Sequence, residues 1–200
     1  MRKALFFGSF NPVHVGHISI AKYVLDNTNV DCLCFVLSPH NPFKNGDILT
    51  DANERLNALE GVIDNINNYR CNKKIGNFYK PITVCDVEFS LPEPLYTYNT
   101  LSYLKTKYPD DELILIIGAD NCAELERWYR GCDLIKEYEI WVYPRIGFDT
   151  RELCKKYGCV YLDAPIVDIS STLIREMESK GKDMSQYKNI SYFCAIFDNR

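Results

Sequence analysis

The chain has 200 residues, 46% of them hydrophobic, and a formal net charge of −4, which suits a single domain spanning residues 1–200 with a sizeable core. The acidic balance and the lack of a polybasic run argue against a protein that grips a nucleic-acid backbone, and no apolar stretch approaches the roughly 20 residues of a membrane span. Nine cysteines without a CxxC pair or zinc-ribbon spacing read as buried free thiols in a reducing cytoplasm.

The first apolar run, Ala4–Phe7, follows Met1-Arg2-Lys3. It is too short for the apolar region of a signal peptide, and Gly8-Ser9-Phe10-Asn11-Pro12 cuts it off. A helix over His17–Leu25 follows, with Ile18, Ala21 and Leu25 on one face. Cys32–Leu37 is a second strand. Asp51–Ile66 reads as a helix carrying Leu56, Leu59, Ile63 and Ile66, and Asp51 with Glu54 makes a start like a capping box. The polar, Asn-rich stretch 65–80 reads as a surface excursion between elements. Strands are expected at Ile82–Val87, Leu113–Ile117, Glu139–Tyr143 and Cys159–Leu162, with helices at Thr97–Tyr108 and Thr172–Lys180. Continuous apolar runs, rather than alternation, suit a parallel sheet covered on both faces. Strand alternating with helix predicts an α/β fold with a doubly wound, Rossmann-like sheet. Such sheets bind ligands at the carboxyl ends of their strands, which directs attention to loops 8–17, 38–44, 118–128 and 143–147 and to the helix start at 168–175.

In the first loop, Gly8 permits close approach of a ligand to the backbone and Pro12 stiffens the turn. His14 and His17 are three apart and share a helix face, and Gly16 between them leaves room for a bulky group. The amino end of a helix favours an anion, so two imidazoles there form one wall of a phosphate site. Two plainer readings compete: the pair caps the helix at the surface, or it binds zinc with His40. The loop offers no Asp, Glu or Cys to complete a zinc site. The chain has no Walker loop, and GxGxxG is absent after the first strand. The second constellation is Asp168–Glu176, "DISSTLIRE". Its Ser170, Ser171 and Thr172 sit at a helix start without a reciprocal Glu or Gln, and Arg175 lies one turn in, where a guanidinium suits phosphate oxygens. The plain alternative is a serine cap with a solvated arginine.

Together, G-S-F-N-P-V-H-V-G-H and I-S-S-T-L-I-R resemble the two signatures of the HxGH nucleotidyltransferase superfamily. The intermediate segments narrow the likeness. "LSPHNPFK" (Leu37–Lys44), "YTYNTL" (Tyr96–Leu101), "IIGADNCAELERW" (Ile116–Trp128) and "VYPRIG" (Val142–Gly147) are similar to motifs of the bacterial nicotinate-nucleotide adenylyltransferases. The resemblance implies a Rossmann-like fold and adenylyl transfer from ATP to nicotinate mononucleotide, giving deamido-NAD and pyrophosphate. Other acceptors remain as alternatives, nicotinamide mononucleotide among them, as does a non-catalytic nucleotide-binding module. No nucleic acid or membrane partner is implied, and a homo-oligomer is compatible with the sequence. Carried over from the family, His14, His17 and Arg175 are the catalytic groups. Gly8, Ser9 and Phe10 line the meeting point of the two nucleotides. Lys44, Ser171, Thr172 and Arg175 hold ATP phosphates, and Ile169 and Ser170 border the adenine. Thr97, Gly118, Asp120, Trp128 and Arg145 face the mononucleotide, with Asp120 on a ribose hydroxyl and Trp128 stacked on the pyridine ring. No resident metal site is implied; Mg²⁺ is expected to arrive with ATP. The C-terminal "NISYFCAIFDNR" departs from the family's usual ending.

Overall fold

A computed structural model describes residues 1–40, 50–75 and 79–198. Its centre is a six-stranded, all-parallel sheet of order β3-β2-β1-β4-β5-β6. The strands are β1 (Arg2–Gly8), β2 (Cys32–Leu37), β3 (Ile82–Cys85), β4 (Glu112–Gly118), β5 (Glu139–Tyr143) and β6 (Val160–Tyr161). The order reverses between β1 and β4, which places the switch point, and the crevice it opens, beside Gly8 and Gly118.

Alternate residues of each strand feed two cores. Ala4 and Phe6 of β1 with Leu33, Phe35 and Leu37 of β2 face helices α1 (Val15–Asn27), α2 (Ala52–Lys73) and α8 (Ile190–Asp198). Leu5, Cys34, Val36, Leu115 and Ile117 face the other layer, formed by α3 (Thr97–Lys107), α4 (Ala119–Ala123), α5 (Gly131–Glu137) and α6 (Thr150–Tyr157). Burial on both faces accounts for the unbroken apolar runs. The nine-residue helix α7 (Ser171–Ser179) lies apart from these layers, in a small cluster of Ile169, Ile174 and Met184.

Residues 65–73 correct one expectation: they are not an excursion but the last two turns of α2. Ile66 and Arg70 continue its buried face, and the Arg70 guanidinium lies 4.9 Å over the Phe197 ring of α8. Asn67 pairs with the exposed edge of the sheet, donating to the Ile82 carbonyl at 2.7 Å and accepting from the Ile82 N–H at 3.2 Å. A side-chain amide there completes the ladder of β3 as a further strand would. Composition read this asparagine as a loop former, but it is an edge cover. Asp51 caps α2 as expected, accepting from the N–H groups of Asn53 and Glu54, but among the described residues Glu54 makes no reciprocal contact to complete a box. The atypical C-terminus also has a defined place: α8 buries Phe193 and Phe197 against α1 and α2.

Candidate active site

The loop leaving β1 is shaped by its own side chains. Phe10 adopts φ 44°, a left-handed conformation unfavourable for an aromatic residue, held by ring contacts with Phe6, Phe35 and His17. A Cβ on Gly8 would lie 2.9 Å from the Phe10 ring. The glycine therefore makes room for Phe10, and it also lines the first cleft described below. Gly16 is similar: a Cβ there would meet the His14 ring at 3.0 Å and Ile169 at 3.3 Å.

The two histidines form a capping box of imidazoles. His14 is the N-cap of α1, and its Nδ1 accepts from the Gly16 N–H at 3.1 Å, while His17 Nδ1 accepts from the His14 N–H at 3.2 Å. The capping alternative is thus correct as to contact and mistaken as to location, because His14 is 2% exposed. The rings lie 3.8 Å apart. Each Nδ1 is an acceptor and so carries no proton, which fixes the tautomer with hydrogen on Nε2. Among the described residues neither Nε2 has a protein acceptor. Burial, reinforced by the nearby Arg145 charge, pushes His14 down to about 3. Burial, then the His14 and Arg145 charges, holds His17 well below the usual range. Both rings are therefore neutral N–H donors at neutral pH.

Helix α7 closes on this loop from the far end of the chain. Ser170 caps it, accepting from the Leu173 N–H at 3.1 Å. Ser171 donates to the Pro12 carbonyl at 2.9 Å, and Arg175 donates to the Asn11 carbonyl at 2.7 Å and to Thr172 Oγ1 at 3.4 Å. The structure so brings together His14, His17, Gly8, Ser9, Ile169, Ser170, Ser171, Thr172 and Arg175.

Two clefts flank this meeting point. The first encloses about 770 Å³, open to solvent, and is lined by Gly8, Ser9, Ser38, Thr97, Gly118 and Trp128 among others. Its mouth carries Tyr96 and Tyr129, stacked at 4.5 Å, and His40, whose Nδ1 lies 3.0 Å from Glu93. The second, about 650 Å³, is lined by Asp120, Arg145, Ile169 and Ser170, with exposed Ile146, Phe148 and Ile166 on its rim. Asp120 is not the cap of α4, which is Gly118. Its carboxylate folds back over Gly118, where a Cβ would come within 2.3 Å of Oδ1, and lies 3.7 Å from Arg145 Nε. Arg145 also donates to the Tyr143 hydroxyl at 3.2 Å. Asp120 therefore faces the second cleft, which Ile169 and Ser170 also line, while Thr97 and Trp128 face the first. Lys44 lies outside the described residues. The two stacked tyrosines and the apolar rim went unread in the sequence. Their one signal was the placing of large apolar side chains in turn-rich loops such as "RIGFD" and "APIVD".

An open parallel sheet with imidazole donors after its first strand and a serine-capped, arginine-bearing helix facing them defines a nucleotidyltransferase. The family model described as cytidylyltransferase-like matches residues 5–177, the span from β1 to α7. Probable nicotinate-nucleotide adenylyltransferases of Bacteroides fragilis and Porphyromonas gingivalis are 38% and 39% identical, covering 93% and 92% of this chain and 86% and 87% of their own lengths. The chain belongs to the nicotinate-nucleotide adenylyltransferase family. Its fold is also that of the Plasmodium falciparum nicotinic acid mononucleotide adenylyltransferase solved in complex with NaAD, at TM-score 0.75 and 19% identity over 100% of this chain and 98% of that one.

Proposed function

We propose that ATP and nicotinate mononucleotide meet between the two clefts and react there directly. An oxygen of the mononucleotide phosphate bonds to the α-phosphorus of ATP, the bond from that phosphorus to the bridging oxygen breaks, and pyrophosphate leaves with both electrons. The attacking phosphate is already an anion, so the protein supplies alignment and charge stabilisation rather than a base or nucleophile. The capping box of imidazoles carries this reading: locked Nδ1 acceptors leave two preset Nε2–H donors, His17 for the α-phosphate and His14 for the outer phosphates. Ser171, Thr172 and Arg175 hold the β- and γ-phosphates, and Lys44 adds charge to them. Adenine lies in the second cleft between Ile169, Ser170 and the apolar rim of Ile146, Phe148 and Ile166, with Asp120 and Arg145 near the ribose and phosphate.

The pyridine ring occupies the first cleft against Trp128. Its carboxylate faces the amino end of α3 beside Thr97. The N-cap residue Tyr96 makes no side-chain cap there, which leaves free N–H groups and the positive end of the helix dipole for an anion. That supports the acid over the amide. Mg²⁺ enters on ATP, with phosphate oxygens and water completing its shell. Reaction in the cytoplasm accords with free thiols at all nine cysteines. Among the described residues no helix is long and apolar enough to cross a membrane.

The test is pyrophosphate release from Mg-ATP with each mononucleotide in turn. Faster turnover of nicotinate mononucleotide is expected; a higher kcat/KM for nicotinamide mononucleotide would overturn the substrate assignment.

A further inference from the structure

Arg55, in the first turn of α2, is only 4% exposed. Its guanidinium donates to four backbone carbonyls. Nε reaches Thr50 at 3.0 Å, Nη1 reaches Ser9 at 2.7 Å and Ser38 at 3.0 Å, and Nη2 reaches Pro39 at 2.8 Å. These carbonyls belong to three segments: the loop after β1, the chain leaving β2, and the residue before the α2 cap. Thr50 extends the set, its hydroxyl donating to Asn11 Oδ1 at 2.9 Å, and the Asn11 carbonyl in turn receives Arg175.

Burying a guanidinium is unfavourable, and apolar residues would fill the same space without that penalty. What a guanidinium supplies is a rigid, planar fork of donors. Peptide planarity then transmits its effect. In a trans peptide the C=O of one residue and the N–H of the next point in opposite directions. Drawing the Ser9 carbonyl toward Arg55 aims the Phe10 N–H away from it, and drawing in the Pro39 carbonyl does the same for the His40 N–H. Ser9, Ser38 and His40 all line the first cleft, so the two peptide planes that Arg55 holds border it. The left-handed φ of Phe10 is a conformation that needs such an external hold.

We propose that Arg55 is a positioning residue for adenylyl transfer, orienting the peptide planes after Ser9 and Pro39 so that their N–H groups meet the reacting phosphates. This rests on the function proposed above. Among the described residues no hydrogen bond joins Arg55 to the imidazoles, and it meets the first cleft only through the backbone carbonyls of Ser9 and Ser38, so its loss falls on alignment and not on binding.

The test uses the full chain with Arg55→Lys, which keeps the charge, and Arg55→Gln, which keeps much of the length. Pyrophosphate release from Mg-ATP and nicotinate mononucleotide is measured at 15 °C and divided by the folded fraction from circular dichroism. Either variant that folds suffices. The expected result is a fall in kcat of roughly 30- to 100-fold, the size associated with a misplacement near 1 Å, with both KM values within about threefold of wild type and Lys retaining more activity than Gln. A folded variant with kcat within about threefold of wild type overturns the proposal, as does a rise in both KM values at unchanged kcat. Absence of turnover in the wild type in the same assay would instead overturn the functional reading.

Discussion

The neutrality of the buried imidazoles predicts how stability depends on pH. In the folded protein His14 is held down to about 3; in the unfolded chain it titrates near 6.5. A base whose folded value is depressed leaves stability intact above the unfolded value and erodes it as pH falls below, because only the unfolded state takes up the proton. Between pH 7 and 5.5 the unfolded histidine gains most of a proton and the folded one none. Linkage converts this to about 1.2 kcal/mol lost from His14 alone, with His17 adding in the same direction because its value is also lowered. Glu88 opposes them. Its carboxyl is raised by burial, so it is relieved as pH falls. The comparison is therefore made between wild type and His14→Asn, which keeps an N-cap acceptor for the Gly16 N–H and leaves Glu88 untouched. Urea unfolding of both proteins without nucleotide, at pH 7 and 5.5, gives the difference directly. The wild type is expected to lose about 1.2 kcal/mol more than His14→Asn, which for a chain this long is a few degrees of extra Tm loss. Equal losses would mean that His14 takes up its proton in the folded state, and the tautomer argument would fall with it.

Arg175→Ala removes a guanidinium from the phosphate end of the site. Loss of a charge-assisted contact of roughly 1.5–3 kcal/mol raises KM for ATP by about one to two orders of magnitude at saturating mononucleotide, and an unchanged ATP dependence would refute its role. Trp128→Ala is expected to raise KM for nicotinate mononucleotide about tenfold, from ~1–2 kcal/mol of stacking, leaving KM for ATP nearly unaltered; the reverse pattern would put the pyridine elsewhere. Gly118→Ala places a methyl 2.3 Å from Asp120 Oδ1 and 3.1 Å from the Tyr143 ring, so steady-state kinetics should show turnover falling at least tenfold from displacement of Asp120, and wild-type turnover would show that Asp120 is not needed where it stands.

Much of this architecture was legible in the sequence because the signals are local. Cys32–Leu37 and Glu139–Tyr143 are strands over the very residues read from their apolar runs, and the histidines, serines and Arg175 announce themselves by spacing. What stayed hidden depends on long-range contacts. The asparagines of residues 65–73 signal a loop until Ile82 supplies a partner for Asn67. Nothing in the sequence shows that side chains at Gly8 and Gly16 would also meet the Phe10 and His14 rings. Arg55 looks like any surface arginine on a polar helix, since its four acceptors are backbone atoms of residues 9, 38, 39 and 50 that no pattern in the chain connects.

In the proposed reaction the Nε2–H of His17 stabilises charge on the α-phosphate during transfer. His17→Ala tests it most directly, by single-turnover formation of the dinucleotide from Mg-ATP and nicotinate mononucleotide. The expected rate is reduced by at least ~10²-fold, as for loss of a preset donor to a developing anion, with the circular dichroism spectrum retained. A near-wild-type rate in a folded His17→Ala protein would contradict it.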